Sequence, residues 1–358
     1  MSAPAKKIGF LSFGHWQAGG GSRTATAADA LIQTVELAVA AEEIGIDGAF
    51  VRVHHFARQL ASPFPLLAAI GVRTSRIEIG TGVIDMRYEN PLYMAEDAAA
   101  ADLLSGGRLQ LGISRGSPEP AWHGYEAFGY VSGPDQTDAE SARQKAALFR
   151  AAIDGAGVVP ADVGGAPSEG LLPIQPRSPE LPRRIWWGAA TRETAIWTAQ
   201  QGMNLMSSTL LLEDTGVPFD QLQAGQIEAF REAWAEAGWD WEPRVSVSRS
   251  VIPVISDEDR MYFGRGQADG DQVGPLDGAI ARFGRSYTGE PERIAHELAE
   301  DAAVAAADTV LLTVPNQLGV SYNARMLGVI AERIAPAIGW ERKSEEDPAA
   351  WDASAASS

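Results

Sequence analysis

The amino-acid sequence alternates between short apolar runs and amphipathic segments, and this alternation constrains the fold more strongly than any other feature. Eight apolar runs match buried strands in length and composition, and each precedes sequence of helical character. Parallel strands joined by right-handed helical crossovers produce this pattern. The eight runs are "KKIGFLSF", "GAFVRVHHF", "RIEIGTGVI", "RLQLGIS", "RRIWWGA", "MNLMSS", "RVSVSRSVIPVIS" and "DTVLLTV".

Regular alternation over a chain of 358 residues predicts an α/β fold, a closed (β/α)8 TIM barrel, and leaves an open doubly wound sheet as the alternative. Two segments rich in Gly and Pro interrupt the alternation and predict long insertions before the fifth strand and after the seventh. Such insertions form functional loops or lids, or are disordered. We therefore expect one barrel domain over residues 1–340 and a disordered polar tail over residues 341–358.

Charge and composition limit the partners and the location of the protein. The net charge of -18 argues against nucleic acid or an anionic membrane as a partner, because both bind clusters of Lys and Arg. No apolar stretch approaches the roughly 20 residues that a membrane helix needs. The chain has no cysteine, and its amino terminus lacks the apolar block of a signal peptide. We expect a cytoplasmic protein without disulfides.

The fourth apolar run lies in "GRLQLGISRG", where Gly112, Ser114 and Gly116 spell G-x-S-x-G, the nucleophile-elbow pattern of α/β-hydrolases. The same residues also suit the end of a barrel strand at which Ser114 and Arg115 hold an anionic cofactor. An elbow requires a helix directly after the serine, but two prolines follow in "SRGSPEP". The sequence therefore favours the cofactor site, and a serine hydrolase is the weaker alternative.

Two histidines, His54 and His55, close the second strand candidate in "FVRVHHF". Neighbouring strand residues point to opposite faces, and we expect His54 to face the barrel mouth. Barrel enzymes keep catalytic groups at the carboxyl ends of strands, and a histidine with an ordinary pKa of about 6.5 suits proton transfer at neutral pH. A hydrogen-bonded structural pair is the other interpretation. The remaining histidines are scattered, and no metal site is predicted.

Glycines and threonines mark two further candidate binding sites. In "IGTGVI" the third glycine of a dinucleotide fingerprint is missing. The glycines instead predict the close approach of a flat group, or an unusual peptide geometry between Gly82 and Val83. Thr191 is a natural N-cap for the helix after the fifth strand, and the free N–H groups of a first helical turn attract an anion such as phosphate. A cap that serves only its own helix is the alternative.

Several motifs occur in a fixed order: H-H-F, G-T-G, N-P-x-x-x-A-E-D and L-S-x-G-R, the last two in "NPLYMAEDAAAADLLSGGRLQLGISRG". In this combination the chain resembles the bacterial luciferase-like, flavin-dependent monooxygenases. The likeness continues through "GAATRETAIWTAQQGMNLM" and covers most of the chain, although it fades in the two insertions and the tail. The resemblance implies a (β/α)8 barrel that binds reduced FMN at the carboxyl ends of its strands, within a homodimer.

The resemblance also implies roles for individual residues. His54 matches the catalytic histidine near the flavin, and Gly82 with Val83 matches a non-proline cis peptide beneath the isoalloxazine ring. Arg115 matches an arginine on the flavin phosphate. The phosphate also meets the start of a helix, which here comprises Thr191 and Thr194.

Three positions depart from the family pattern. Val53 stands where the luciferase α subunit has a glutamate, Ser114 replaces a reactive cysteine, and Ala190 replaces an acidic residue beside the phosphate. Light emission and a long-chain aldehyde substrate are therefore not expected, while Ser114 and Ala190 stay expected contacts of the cofactor. Some relatives bind a deazaflavin and transfer a hydride without oxygen. The "SRGSPEP" segment and the H-H-F pair favour FMN.

From this resemblance we expect a monooxygenase that oxygenates a small organic substrate, carbonyl compounds included, with O2 and reduced FMN from a separate reductase, through a flavin hydroperoxide. His54 would act as general acid or base, and the insertion from about Ser256 to Glu290 would close as a lid. The pocket walls would include Trp186, Trp187 and the insertions. A deazaflavin-dependent dehydrogenase and a non-catalytic flavin-binding protein are the alternatives.

Overall fold

The computed structural model describes residues 5–116, 120–131, 133, 135–212, 215–264, 270–276 and 279–342. The tail predicted to be disordered, residues 341–358, lies outside the described residues from residue 343 onward. Within the described ranges, no helix combines the length and the apolar composition that a membrane crossing requires.

Strands and helices alternate along the described chain. The strands are β1 Lys7–Ser12, β2 Gly48–Val51, β3 Glu78–Asp85, β4 Leu109–Ser114, β5 Gly157–Val163, β6 Ala166–Pro173, β7 Ile185–Ala189, β8 Asn204–Ser207, β9 Leu210–Leu211, β10 Val245–Pro253, β11 Gln272–Leu276, β12 Ala279–Phe283, β13 Ser286–Gly289 and β14 Thr309–Val314. The α-helices are α1 Ala27–Ile44, α2 Pro63–Arg73, α3 Pro91–Leu104, α4 Gly124–Ala127, α5 Asp138–Asp154, α6 Arg192–Gln200, α7 Phe219–Ala237, α8 Asp257–Phe263, α9 Pro291–Ala299, α10 Ala302–Ala306 and α11 Val320–Arg333.

Eight of the strands pair in parallel and close into a barrel. They follow the order β1, β2, β3, β4, β7, β8, β10 and β14 around the ring, and β14 pairs with β1 along its whole length. The pairing of Val245 with Leu205 joins β10 to β8 and completes the closure. The (β/α)8 TIM barrel and all eight predicted strands are confirmed, and the open sheet is ruled out.

Most barrel strands are rich in apolar residues because both of their faces are buried, one inside the barrel and one against the surrounding helices. Every residue of β2, β4 and β8 is buried. A small cluster of buried side chains, which includes Leu11, Met206 and Leu311, fills the inside of the barrel just below its carboxyl-end opening. The larger part of the core lies between the strands and the helices.

Local signals in the sequence set where several helices begin and end. Thr26 caps α1 in a capping box with Asp29, and Gly45 ends that helix in the left-handed conformation that favours glycine. Asn90 caps α3, whose first residue is Pro91. Gly45 and Asn90 thus determine where α1 ends and where α3 begins.

The two insertions are confirmed, but they carry regular structure that the sequence did not predict. Before β7 lies an antiparallel hairpin of β5 and β6, whose residues are mostly exposed, so no apolar alternation marks it. After β10 lie α8, the antiparallel pair β11 and β12, and β13, which pairs in parallel with β10. The lid predicted here includes residues 265–269 and 277–278, which lie outside the described residues, and it stays a prediction.

Candidate cofactor site

The carboxyl ends of the barrel strands surround an open cavity of about 280 Å³. Active sites of TIM barrels occupy this face, where the loops after the strands supply functional side chains. The structure brings all eight residues predicted for the site to the lining of this one cavity: His54, Gly82, Val83, Ser114, Arg115, Ala190, Thr191 and Thr194.

His54 follows β2 and forms part of one wall, with only 9% of its surface exposed. Burial lowers the pKa of His54 to about 4, and the nearby charge of Arg52 adds to this effect. His55 and His15 act in the same direction. The pKa of His54 therefore lies well below the ordinary value for histidine, and the ring is uncharged at neutral pH. A neutral imidazole offers one N–H donor and one acceptor nitrogen, so it can accept a proton or hold one in a hydrogen bond.

The neighbours of His54 differ in where they point. His55 turns away from the cavity and stacks on Tyr88, with 4.1 Å between ring centroids, so the prediction that His54 faces the mouth is confirmed. Arg52 lines the same wall as His54 and places its guanidinium carbon 4.7 Å from the centroid of the Phe13 ring. Burial lowers the pKa of Arg52. This wall therefore holds basic groups in a poorly hydrated place.

Gly82 and Val83 line the cavity at the end of β3, and the peptide bond between them is cis, as the resemblance implied. Gly188 of β7 lies beside them. A Cβ atom at Gly188 would lie 3.3 Å from both Val83 Cγ1 and Ser114 Cβ. The absence of side chains on two glycines leaves a smooth surface here, which a flat group can approach.

Packing explains the two glycines of the G-x-S-x-G motif. A Cβ atom at Gly112 would lie 2.2 Å from the carbonyl oxygen of Thr81 on the next strand. Gly116 has a φ of 96°, and its Cβ would lie 1.9 Å from Asp85 Oδ2. The Ser114 hydroxyl accepts a hydrogen bond from the Gly116 N–H at 2.8 Å. The next helix in the described chain is α4, well beyond this turn, so Ser114 does not sit at a nucleophile elbow.

Hydrogen-bond donors converge at the end of the cavity nearest α6. Thr191 is the N-cap, as predicted: its Oγ1 accepts from the Thr194 N–H at 3.2 Å and donates to Thr194 Oγ1 at 2.9 Å. Ala190 precedes it. Arg115 extends from the loop after β4, and Arg143 approaches from α5. Two guanidinium groups, the Thr194 hydroxyl and a helix N-terminus form a donor set that suits an anion such as phosphate.

Sequence reasoning missed several residues of this lining, among them Arg52, Arg143, Ser207 and Ser208. Arg52 carried a usable signal, because the period of two along a strand places it on the same face as His54. The two serines also carried one, since they end the sixth strand at the face where sites form. Arg143 carried none, because on α5 it resembles any polar residue of an amphipathic helix.

The walls of the cavity differ in part from those expected. Trp187 lines the cavity, but Trp186 is fully buried below it, and its Nε1–H donates to Gln110 Oε1 at 2.9 Å. Of the residues that the structure describes, neither insertion contributes one to the lining. The expectation for Trp186 and for the insertion before β7 is therefore wrong, and that for Trp187 is confirmed. The insertion after β10 includes residues 265–269 and 277–278, which lie outside the described residues, so its expected place in the walls stays a prediction.

The two ends of the cavity lie apart around the barrel. Arg52 and His54 follow β2, whereas Thr191 follows β7, three places away in a ring of eight strands. Cationic and hydroxyl donors occupy the α6 end, a buried imidazole occupies the β2 end, and apolar surface from Leu11 and Val83 lies between them. This arrangement fits a flat cofactor that carries a phosphate, as FMN does.

Known proteins that are similar to this chain include both flavin-dependent and F420-dependent enzymes. The family model described as luciferase-like monooxygenase matches residues 8–305. The oxygenase component of a flavin-dependent trigonelline monooxygenase from Acinetobacter baylyi is 27% identical over 191 residues, which are 52% of this chain and 50% of that protein. An F420-dependent glucose-6-phosphate dehydrogenase from Kribbella flavida is 40% identical over 88 residues, 23% of this chain and 26% of that one. The chain thus covers less than two thirds of the length of either relative.

A solved structure shares the architecture over nearly the whole chain. It is the oxygenating constituent of 3,6-diketocamphane monooxygenase from Pseudomonas putida in complex with FMN. The two structures superpose with a TM-score of 0.66 at 15% identity, covering 94% of this chain and 100% of that one. At this level of identity, the likeness shows the barrel fold alone.

Proposed function

This chain belongs to the luciferase-like monooxygenase family, and on that premise we propose that it is an oxygenase that uses reduced FMN and O2 to oxygenate a small organic substrate. One observation carries the proposal. A single cavity contains the capped helix start at Thr191 and, three strands away around the barrel, the buried imidazole of His54. Carbonyl compounds are the first substrates to test, since the camphane relative is by its description a Baeyer-Villiger monooxygenase.

The chain offers a contact for each part of the cofactor. Arg115, Thr191 and Thr194 would hold the phosphate, and Gly82 with Val83 would lie against the flavin ring. When bound, reduced FMN supplies the electrons with which O2 is activated. The further candidate contacts are Ser114, Arg143 and Ala190.

His54 is the candidate catalytic residue. In its neutral form it can accept a proton at one ring nitrogen and hold another in a hydrogen bond from the second. Leu11, Val53 and Leu311 surround the cavity near it and exclude water from this end. In such surroundings a hydrogen bond from the imidazole is stronger than it would be in water.

We favour FMN over a deazaflavin because of how far each likeness extends. The alignment with the flavin-dependent trigonelline monooxygenase covers 52% of this chain, and that with the F420-dependent dehydrogenase covers 23%. The second match keeps a deazaflavin-dependent dehydrogenase as the second candidate. Titration of the purified protein with FMN and with F420, followed by visible absorption, separates them, and tighter binding of F420 would contradict our choice.

Turnover is tested by mixing the protein with reduced FMN, O2 and a series of small carbonyl compounds. We expect at least one compound to give a product that carries one oxygen atom from isotopically labelled O2. A protein that binds FMN yet oxygenates none of a broad substrate series would be a flavin-binding protein without catalytic activity, and this proposal would be wrong.

We further propose that a separate reductase delivers the reduced FMN, because the trigonelline relative is itself named an oxygenase component. The active form would be a homodimer in the cytoplasm, with the segment from Ser256 to Glu290 as the lid. Light scattering of the purified protein tests the dimer. Coupling to a purified NADH:FMN reductase tests the supply route, and full activity with NADH alone would contradict it.

A further inference from the structure

A continuous chain of buried hydrogen bonds runs beneath the α6 end of the cavity. It starts at Arg249 of β10, passes through Gln223 and Gln226 of α7 and Ser207 of β8, and ends in the loop after β7. All four of these residues are buried, with at most 4% of their surface exposed. Burial of so many polar groups is tolerated only when they bond to one another, so their arrangement is well determined.

The donors of this chain all point in the same direction. Arg249 Nη1 donates to Gln223 Oε1 at 2.8 Å, and Gln223 Nε2 donates to Ser207 Oγ at 2.9 Å. The Ser207 hydroxyl then donates to Gln226 Oε1 at 2.5 Å. Because a guanidinium has donors only, it fixes the orientation of the Gln223 amide and of each group after it. Successive bonds of this kind polarise and strengthen one another.

The chain ends on the loops that line the cavity. Gln226 Nε2 donates to the carbonyl oxygens of Thr191 at 3.0 Å and Ala189 at 3.3 Å. Gln223 Nε2 also donates to the carbonyl oxygen of Ser208 at 2.8 Å. The two glutamines therefore attach α7 to both the loop after β7 and the loop after β8.

An ion pair anchors the other end of the chain. Asp301 receives two hydrogen bonds from Arg249, at 2.7 and 2.9 Å, and a third from the Tyr287 hydroxyl at 2.6 Å. Burial would raise the pKa of Asp301, but the bonds from Arg249 outweigh it and hold the pKa below its ordinary value. The buried guanidinium is thus compensated, and its position is fixed by several bonds at once.

We propose that Gln226 and Gln223 are positioning residues that make the cavity select a phosphorylated flavin over an unphosphorylated one. This inference rests on the proposed function, which places the phosphate at the start of α6. Both glutamines act from behind the lining, through Ser207 and Thr191. By holding the Thr191 carbonyl at the back of the loop, Gln226 fixes the N-cap of α6, and the cap in turn directs the Thr194 hydroxyl and the remaining N–H groups of the first turn toward the phosphate.

The test is a fluorescence titration of oxidised FMN and of riboflavin, which lacks the phosphate, against the Gln226→Leu variant. We expect the preference for FMN over riboflavin to fall about tenfold, or about 1.4 kcal/mol, while the affinity for riboflavin stays unchanged. A merely structural role would weaken both flavins to the same extent. Gln221→Leu, at an exposed position of the same helix, is the matched control and should leave both affinities unchanged.

The Gln226→Glu variant covers the case in which the leucine variant does not fold. It keeps the volume and polarity of the side chain, but an ionised carboxylate has no proton to donate to the two carbonyl groups. Circular dichroism establishes that each variant is folded. An unchanged preference for FMN in a folded variant, or an equal loss with both flavins, would overturn the inference. Wild-type protein that binds riboflavin as tightly as FMN, or binds neither, would instead contradict the proposed function and the inference with it.

Discussion

The two ends of the cavity are ordered by opposite means. At the α6 end, Thr191 and Gln226 have hydrogen-bond partners for their polar groups, and the charge of Arg249 behind them is balanced by Asp301. At the β2 end, burial lowers the pKa of His54, and the positive charge of Arg52 lowers it further. Hydrogen bonds and a balanced ion pair fix the side chains of the α6 end. At the β2 end, burial and the charge of Arg52 instead keep the histidine uncharged.

This difference indicates a division of labour between the ends. Donors that are already aligned bind an anion without reorganisation, so the α6 end is suited to hold the cofactor tightly. A base whose charged form is disfavoured is available as a neutral group at physiological pH, so the β2 end is suited to proton chemistry. Affinity and chemistry should therefore respond to different substitutions.

The largest effect should follow from removing the anchor of the α6 end. Asp301→Ala leaves the charge of Arg249 buried without its partner and removes the N-cap of α10. Breaking a buried ion pair in this way costs about 3 to 5 kcal/mol, and we expect a loss of that size in the free energy of unfolding, measured by urea denaturation.

A matched control for this variant is Glu292→Ala, which breaks an exposed ion pair with Arg333 and should change stability very little. Similar losses of stability for the two variants would mean that the buried hydrogen bonds behind the α6 end give it no special rigidity. The contrast between the two ends would then lose its physical basis.

The next largest effect should appear at the β2 end, on chemistry alone. His54→Ala removes the candidate catalytic imidazole, and we expect kcat to fall by about a hundredfold or more while the affinity for FMN is retained. His54→Asn keeps a donor and an acceptor but cannot accept a proton, so it separates hydrogen bonding from proton transfer. His296→Ala, on the exposed face of α9, is the control. A parental rate in His54→Ala would remove His54 from the mechanism.

A smaller effect, on binding alone, should follow at the α6 end. Arg115→Ala removes one charged donor from the proposed phosphate site, and we expect FMN to bind about tenfold more weakly while riboflavin binding is unchanged. Arg73→Ala, an exposed arginine at the end of α2, makes the same change in net charge elsewhere. If both variants weaken FMN equally, the effect is that of overall charge, and Arg115 has no specific role.

The sequence was sufficient to predict the barrel and the places of its two insertions but not the strands and helix within them, for a physical reason. Strands of a closed parallel barrel are buried on both faces, so most of them appear as runs rich in apolar residues. The exception is β10, which carries Ser246, Ser248, Arg249 and Ser250. The hairpin of β5 and β6 has no such face: most of its residues are exposed, and Pro160 interrupts the first strand. Without a buried side, a strand leaves no periodic pattern to detect.

The site was predicted where it depends on strand ends and missed where it depends on packing. His54, Arg115 and Thr191 follow barrel strands, and the fold brings all such ends to one face. Gln223 and Gln226 could not be found in this way, because in α7 they have the composition of a solvent-facing stripe. In the structure they are only 0% and 2% exposed, because the loops after β7 and β8 pack over them.

The lowered pKa of His54 could not be predicted either, because it depends on burial and on the nearby charge of Arg52, which only the fold determines. The corresponding prediction is the smallest in size: activity should not change with pH over a wide range. An ordinary histidine gains its proton at a pH of about 6.5. Burial and the charge of Arg52 lower the pKa of His54 to about 4, so its ring stays neutral as the pH falls from about 8 to about 5. Activity that requires the neutral ring should be constant over this range and be lost as the pH falls through about 4.

Nuclear magnetic resonance of the imidazole C–H groups in the flavin-free protein measures this pKa directly, with His54→Ala for assignment. Arg52→Met keeps an unbranched side chain of similar length but removes the charge, so the pKa of His54 should rise. Burial should still hold this pKa below the ordinary value. A His54 resonance that titrates at about pH 6.5 in the wild type would mean that the β2 end is open to water. In that case exclusion of charge would not distinguish the two ends, and the proton chemistry assigned to the β2 end would have to rest on position alone.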